Sequence, residues 1–142
     1  MNKNQFARIF DELFPINRSI LGIGYRKSLK IIQKYIPFNI IRFKSGEKVF
    51  DWKIPLEWSI VEGYLLSPDR KKIIDYKENN LHVISYSDSI KKTIGLDELK
   101  KHLYTQKDLE NAIPYITSYY KKNWGFGIAY KHYKKLEEGN YT

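Results

Sequence analysis

The sequence contains no cysteine, which excludes disulfides, thiolate metal ligands and a cysteine nucleophile and fits a reducing compartment. It has no run of about 18 apolar residues, the length that a membrane-spanning helix needs. The opening residues MNKNQFARIF lack the apolar stretch and small-residue cleavage site of a secretory signal. We therefore expect a cytoplasmic protein without a membrane partner.

Acidic residues are outnumbered, since 25 Lys and Arg face 16 Asp and Glu and the formal net charge is +9. A basic net charge is typical of proteins that bind nucleic acids. The lysines, however, occur as scattered pairs with acidic neighbours, and Lys far outnumbers Arg, whose planar fork suits phosphates and bases. The pattern favours a solvated surface and disfavours nucleic acid as a partner, with a polyanion-binding face as the alternative.

Two helices open the chain. The first has its apolar residues at the i, i+3, i+4 and i+7 spacing of one helical face, namely Phe6, Ile9, Phe10 and Leu13. The polar turn INRSILGIG follows, and a second helix with Leu29, Ile32 and Ile36 on its apolar face ends at Pro37. The pattern predicts a helical hairpin.

Short strand-like segments separated by turns dominate the rest of the chain. They are FNIIRF, VFDW, WSIVEGYLL, KIIDY, LHVISYS, SIKKTI, IPYITSYY and WGFGIAY. Two short helices are predicted among them, LDELKKHLY and YKHYKKLEEG, the latter closed by Gly139. The sequence thus predicts an α+β fold in which an N-terminal helical hairpin precedes an antiparallel β-sandwich or jelly-roll-like domain with short helices.

Residues with catalytic chemistry are sparse. The three histidines, His82, His102 and His132, are far apart in sequence and form no metal-ligand motif. We expect His82 to be a strand residue whose ring bonds to a neighbour. No GxSxG or complete GxGxxG occurs, and neighbouring carboxylates on predicted helices do not face each other. We predict no catalytic, cofactor-binding or metal-ligating residue within this chain.

Aromatic residues are abundant, with twelve Tyr, seven Phe and three Trp. Buried rings would fill the core, whereas exposed rings on a sheet could stack on sugars or bases. The composition favours the core. The exposed alternative would make the chain a stand-alone β-sandwich module that binds glycans or a protein.

Several longer motifs resemble a known family. LFPINRSILGIGYRKSLKIIQKYIP, SGEKVFDWKIPLEW, DYKENNLHVISYS, LDELKKHLYT, IPYITSYYKKNWGF and LEEGNY occur in that order. Together they are similar to the N-terminal part of a bacterial zinc aminopeptidase-like family associated with polysaccharide biosynthesis. Members often have WGFC where this chain has Trp124-Gly125-Phe126-Gly127.

The resemblance implies a domain organisation. Members are much longer and carry a zinc-exopeptidase-like α/β domain interrupted by an inserted β-rich domain. Residues 1–37 would be the helical hairpin of the peptidase-like domain, 38–136 the inserted domain, and 137–142 a truncated return strand. The final residues NYT themselves resemble the start of a strand, and from its length of three residues we expect it to bury almost nothing.

The resemblance also implies where the chemistry lies. The zinc ligands of such peptidases belong to a later HxCHP-like motif that is absent here, so the chain is expected to bind no zinc and to be inactive alone, while the full-length family is expected to hold zinc. The turn with Arg18, Ser19 and Gly22 resembles a stretch near the substrate cleft; alternatively, Ser19 is the N-cap of the second helix. The implied partners are the remainder of the peptidase-like domain and a homo-oligomer. The inserted domain would shape the cleft or mediate assembly.

Overall fold

A computed structural model describes residues 3–142; the start of the predicted domain 1–37, Met1 and Asn2, lies outside the described residues. Contacts divide the chain into two units, the first ending at Ser59 and the second spanning Ile60–Thr142. Among the described residues, no helix has both the length and the apolar character needed to cross a membrane. The division falls later than the predicted boundary after Pro37; the domain assignment itself stays a prediction.

The first unit contains the predicted helical hairpin, with α1 at Lys3–Leu13 and α2 at Ile23–Gln33. The carboxylate of Glu12 joins the two helices, because it accepts hydrogen bonds from the Tyr35 hydroxyl at 2.7 Å and the Lys34 ammonium at 3.0 Å. These two bonds hold the pKa of Glu12 below its usual value, and the bond from Tyr35 contributes most. The bond between Tyr35 and Glu12 also raises the pKa of Tyr35.

A two-stranded antiparallel hairpin follows in the first unit, formed by β1 at Lys48–Val49 and β2 at Trp52–Lys53. The segment VFDW, predicted as one strand, is therefore the turn of a hairpin. Val49 pairs with Trp52, and Phe50 at the tip adopts a positive φ of 53°. Residues 38–43, predicted as the strand FNIIRF, join no ladder. Residues of this β-forming composition favour a strand where they fit a pleated, half-buried surface. Ile41 is instead 77% exposed.

The described residues of the first unit form no hydrophobic core of their own. Within residues 3–59 no hydrophobic side chain is buried. Large apolar side chains are instead exposed along the whole unit, namely Phe6, Phe10, Phe14, Ile20, Ile23, Tyr25, Ile36, Ile41, Phe43, Phe50, Trp52 and Leu56. Exposed apolar side chains in this number make the unit a candidate for contact with another part of a protein, since large exposed apolar patches mark interaction sites.

The second unit contains three pairs of short strands. β3 (Tyr64–Leu66) pairs antiparallel with β4 (Lys72–Asp75), and β5 (Ile94–Gly95) pairs antiparallel with β8 (Asn140–Tyr141). β6 (Leu103–Tyr104) pairs parallel with β7 (Phe126–Gly127). The chain is thus a mixed helix and strand protein with antiparallel pairs, in agreement with the α+β class. The described residues form only two-stranded ladders, so the predicted sandwich or jelly roll stays a prediction.

Two short α-helices and a 3-10 turn complete the second unit, with α3 at Leu96–Lys100, α4 at Tyr130–Tyr133 and the 3-10 turn at Asn80–His82. The strand predicted for LHVISYS was wrong. The side chain of Asn79 accepts a hydrogen bond from the Leu81 amide at 2.9 Å and starts the 3-10 turn instead. Only isolated bridges at Val83 and Ser85 remain of that strand.

The core of the molecule lies in the second unit. Its buried side chains come from helix α3, from the three ladders and from the residue that follows β7, namely Leu65, Ile74, Leu96, Leu99, Leu103, Ile128 and Tyr141. Tyr141 is 1% exposed, and its hydroxyl donates to the Glu137 carbonyl at 2.8 Å. The expectation that the last residues bury almost nothing was therefore wrong. The strand β8 places one large ring, that of Tyr141, in the core.

Candidate functional site

The turn between α1 and α2 brings two of the three predicted cleft residues together. Ser19 and Gly22 are both buried, and the Ser19 hydroxyl lies 3.4 Å from the carbonyl oxygen of Trp58. The same hydroxyl donates a short hydrogen bond to the Leu21 carbonyl. The turn therefore encloses the backbone of Trp58, a residue 39 positions further along the chain.

Gly22 allows this close approach. A Cβ at this position would lie 2.5 Å from the Trp58 carbonyl oxygen and 3.6 Å from the Ser19 hydroxyl oxygen. The φ of Gly22 is 117°, a conformation that side chains disfavour. Both observations require glycine here.

The prediction that Ser19 caps α2 was wrong. The N-cap residue is Gly22, and the described residues form no side-chain capping hydrogen bond there. Ser19 lies three residues before this N-cap, and its hydroxyl contacts the carbonyls of Leu21 and Trp58 instead. Ser19 is thus part of the packing of the turn.

Arg18 behaves differently from its two neighbours. Its side chain is exposed, and its guanidinium donates to the carbonyl of Leu13 at the end of α1. A cation at a helix C-terminus interacts favourably with the unsatisfied carbonyls there. Arg18 therefore contacts the end of α1, whereas Ser19 and Gly22 pack against Trp58. That the three residues line a cleft stays a prediction.

An ion pair adds a second tie next to this turn. The guanidinium of Arg26, in the first turn of α2, pairs with the carboxylate of Glu57. Both side chains are about half-exposed, so solvent weakens the attraction and the pair serves mainly to position the segment. Together, Gly22, Ser19 and Arg26 hold the segment that ends the first unit.

The rings of two histidines, His82 and His102, lie at hydrogen-bond distance from backbone carbonyls. The Nδ1 atom of His82 lies 2.8 Å from the Gly127 carbonyl oxygen, so its ring bonds to a neighbour as predicted, but His82 lies in the 3-10 turn and not in a strand. The Nδ1 atom of His102 lies 3.0 Å from the carbonyl oxygen of Trp124. Residues 3–142 contain no group of three or more His, Asp or Glu placed to hold a metal ion.

Sequence reasoning missed an aromatic and charged cluster in the second unit. The ring of His102 stacks on Trp124 with a centroid distance of 3.7 Å, and the Lys92 ammonium lies 4.8 Å from the centroid of the same indole. Glu98 approaches His102 at 3.7 Å. These residues lie up to 32 positions apart, so no local spacing could have indicated them.

The profile of a family described as a domain of unknown function, DUF2172, matches residues 57–142. The match covers more than half of the chain, and the chain belongs to this family. The matched stretch begins close to the start of the second unit at Ile60. The family domain and the unit that holds the core thus coincide.

A relative from Clostridium acetobutylicum is 50% identical over 137 residues, covering 96% of this chain and 32% of the relative. It is provisionally named a polysaccharide biosynthesis protein with an aminopeptidase-like domain, which confirms the predicted resemblance. A crystal structure from the same organism, at 2.37 Å resolution and provisionally described as a peptidase, is 48% identical with a TM-score of 0.90. It covers 97% of this chain and 33% of that one. The chain spans about a third of the length of both proteins.

Proposed function

We propose that this chain is the N-terminal part of a longer aminopeptidase-like protein whose hydrolytic chemistry resides in the remaining polypeptide. The relatives support this, because nearly the whole chain matches about a third of each. In such a protein a bound zinc ion would activate water for peptide hydrolysis. Residues 3–142 do not offer a ligand set for that ion, so its ligands would lie in the remainder.

One observation carries the proposal, the missing core of the first unit. Amphipathic helices form stable structure when their apolar face packs against another element. Phe6 and Phe10, on the apolar face of α1, are instead 63% and 58% exposed. Burial of each such ring contributes roughly 1.5–3 kcal/mol. The hairpin would complete its core against the peptidase-like remainder, which is the partner we propose.

The inserted β-rich domain, proposed for residues 38–136, would include most of the second unit, with a sandwich or jelly-roll arrangement completed in the longer protein. Its proposed role is to shape the cleft or to mediate assembly into a homo-oligomer. Of the turn residues, exposed Arg18 is the one whose side chain could face a cleft, while Ser19 and Gly22 would hold the turn in place. A cytoplasmic location, consistent with the absence of cysteine, is part of the same proposal.

The experiment compares this chain with the full-length Clostridium acetobutylicum relative. Zinc content is measured by mass spectrometry and hydrolysis with aminoacyl-p-nitroanilide substrates. We expect stoichiometric zinc and turnover only in the full-length relative. Stoichiometric zinc and turnover in this chain, or zinc absent from the relative as well, would contradict the proposal.

The alternative function is a stand-alone module that binds glycans or a protein. One observation favours it, the ring of Tyr120, which is 93% exposed in the second unit. A stand-alone module would need neither the peptidase-like remainder nor zinc, which distinguishes it from the first function.

A further inference from the structure

Three tyrosines form a ladder of touching rings in the second unit. Tyr86 and Tyr119 have ring centroids 5.0 Å apart with planes at 74°, and Tyr119 and Tyr120 have centroids 4.7 Å apart with planes at 83°. Both are edge-to-face contacts, the geometry that aromatic pairs prefer. Tyr86 and Tyr119 are half-buried, whereas Tyr120 at the end of the ladder is almost fully exposed.

The backbone beneath the ladder is held by several hydrogen bonds. The Ser118 hydroxyl donates to the Tyr86 carbonyl at 2.8 Å, and the Ser118 amide donates to the Ser85 carbonyl at 2.8 Å. The Ser85 amide in turn donates to the Ile116 carbonyl at 2.9 Å. The backbone that precedes the exposed ring is therefore fixed, which reduces the conformational freedom lost on binding.

Two basic residues follow the exposed ring in the sequence. Lys121 and Lys122 follow Tyr120 directly and are both exposed, and the Lys121 amide closes the turn by donating to the Ser118 carbonyl at 3.2 Å. Neither ammonium has a carboxylate within ion-pair distance among residues 3–142, unlike Lys101 in the same unit, which pairs with Glu98 at 2.7 Å. The charges beside Tyr120 are thus available to a ligand.

We propose that Tyr120, Lys121 and Lys122 form a binding surface for an acidic glycan. The exposed ring would stack on the apolar face of a sugar, and the two ammonium groups would pair with the carboxylates of uronic acid units. Single-stranded nucleic acid is the other polyanion with stacking faces. The surface favours the glycan, because it offers one ring and lysines rather than a series of stacking rings along an arginine-lined groove.

Isothermal titration calorimetry on this 142-residue chain tests the proposal. The probes are oligogalacturonate, neutral dextran of matched length, and oligothymidylate. The variants are Tyr120→Ala and the double change Lys121→Gln with Lys122→Gln. Phe50→Ala is the matched control, since Phe50 is 90% exposed but lies in the first unit. Thermal unfolding of each variant checks that the fold is retained.

We expect binding of oligogalacturonate that weakens as salt is added and is absent for dextran. Tyr120→Ala should weaken it at least about fivefold, in line with the contribution of a single stacking ring. The double lysine change should weaken it and reduce its salt dependence, and Phe50→Ala should leave it unchanged. No binding, equal binding of dextran, tighter binding of oligothymidylate, or an unaffected Tyr120→Ala variant would overturn the proposal. Because the test involves no zinc or turnover, its failure is distinct from failure of the proposed function.

Discussion

The α-carbon of Gly22 faces the carbonyl of Trp58 so closely that a side chain at position 22 would overlap it, with a Cβ only 2.5 Å from the oxygen. The two residues are 36 positions apart. Their contact fixes the turn between the helices against the last residues of the first unit. The positive φ of Gly22 adds a second reason for glycine at this position.

Gly22→Ala should therefore loosen the start of α2. We expect amide hydrogen exchange in this helix to accelerate, because the free energy of local opening should fall by about 1–3 kcal/mol, the usual cost of such backbone strain. Gly46→Ala is the matched control, because Gly46 also has a positive φ but a Cβ there would meet nothing within 4 Å. Equal effects of the two changes would show that the contact with Trp58 contributes nothing.

Tyr141 should be essential for the stability of the second unit. Tyr141→Ala removes a ring that is 1% exposed, and we expect the free energy of unfolding to fall by about 3–5 kcal/mol. Tyr141→Phe keeps the ring and loses only the hydrogen bond to Glu137, at a cost of about 1 kcal/mol. Urea unfolding followed by tryptophan fluorescence measures both. A small effect of Tyr141→Ala would mean that β8 does not belong to the core.

Acid should destabilise the second unit partly through Asp75. The Lys72 ammonium at 2.7 Å and the Lys77 amide at 2.9 Å hold the pKa of this carboxyl below its usual value. A carboxyl with a lowered pKa stabilises the folded state above its unfolded pKa of about 3.9, and this contribution is lost as pH falls through the folded value. Stability should therefore decline on acidification below about pH 5.

Asp75→Asn tests this pH dependence. The variant should be less stable at neutral pH and should lose less stability than the parent between about pH 5 and pH 2. Asp97→Asn is the control, since the Asp97 side chain is 93% exposed and lies 3.9 Å from its cationic partner. Urea unfolding across this pH range supplies the measurement. Parallel curves for the parent and Asp75→Asn would rule out the role of Asp75.

The helical hairpin could be predicted because its signals are local. The apolar spacing of Phe6, Ile9 and Phe10 and the glycines of the turn lie within one stretch of sequence, and α1 and α2 follow them. The same spacing could not show whether the apolar face is covered. That depends on residues distant in the chain, and Phe6 and Phe10 are exposed here.

The strands were harder to predict because their partners are distant. β5 and β8 pair Ile94 with Tyr141, and no local pattern identifies two-residue strands that meet across the unit. Alternation also failed where a side chain redirected the backbone, as Asn79 does at the 3-10 turn. In the candidate site, Ser19 and Gly22 were found through a resemblance, whereas their contact with Trp58 emerged only from the structure.

Amide hydrogen exchange of α1 tests the central claim most directly, namely that the first unit completes its core in a longer protein. In this chain we predict much weaker protection of the α1 amides than of the Ile128 amide, which bonds to the Tyr104 carbonyl inside the second unit. In the full-length Clostridium acetobutylicum relative, the matching helix should be strongly protected. Equal protection of α1 and Ile128 in this chain, or an unprotected matching helix in the relative, would contradict the account.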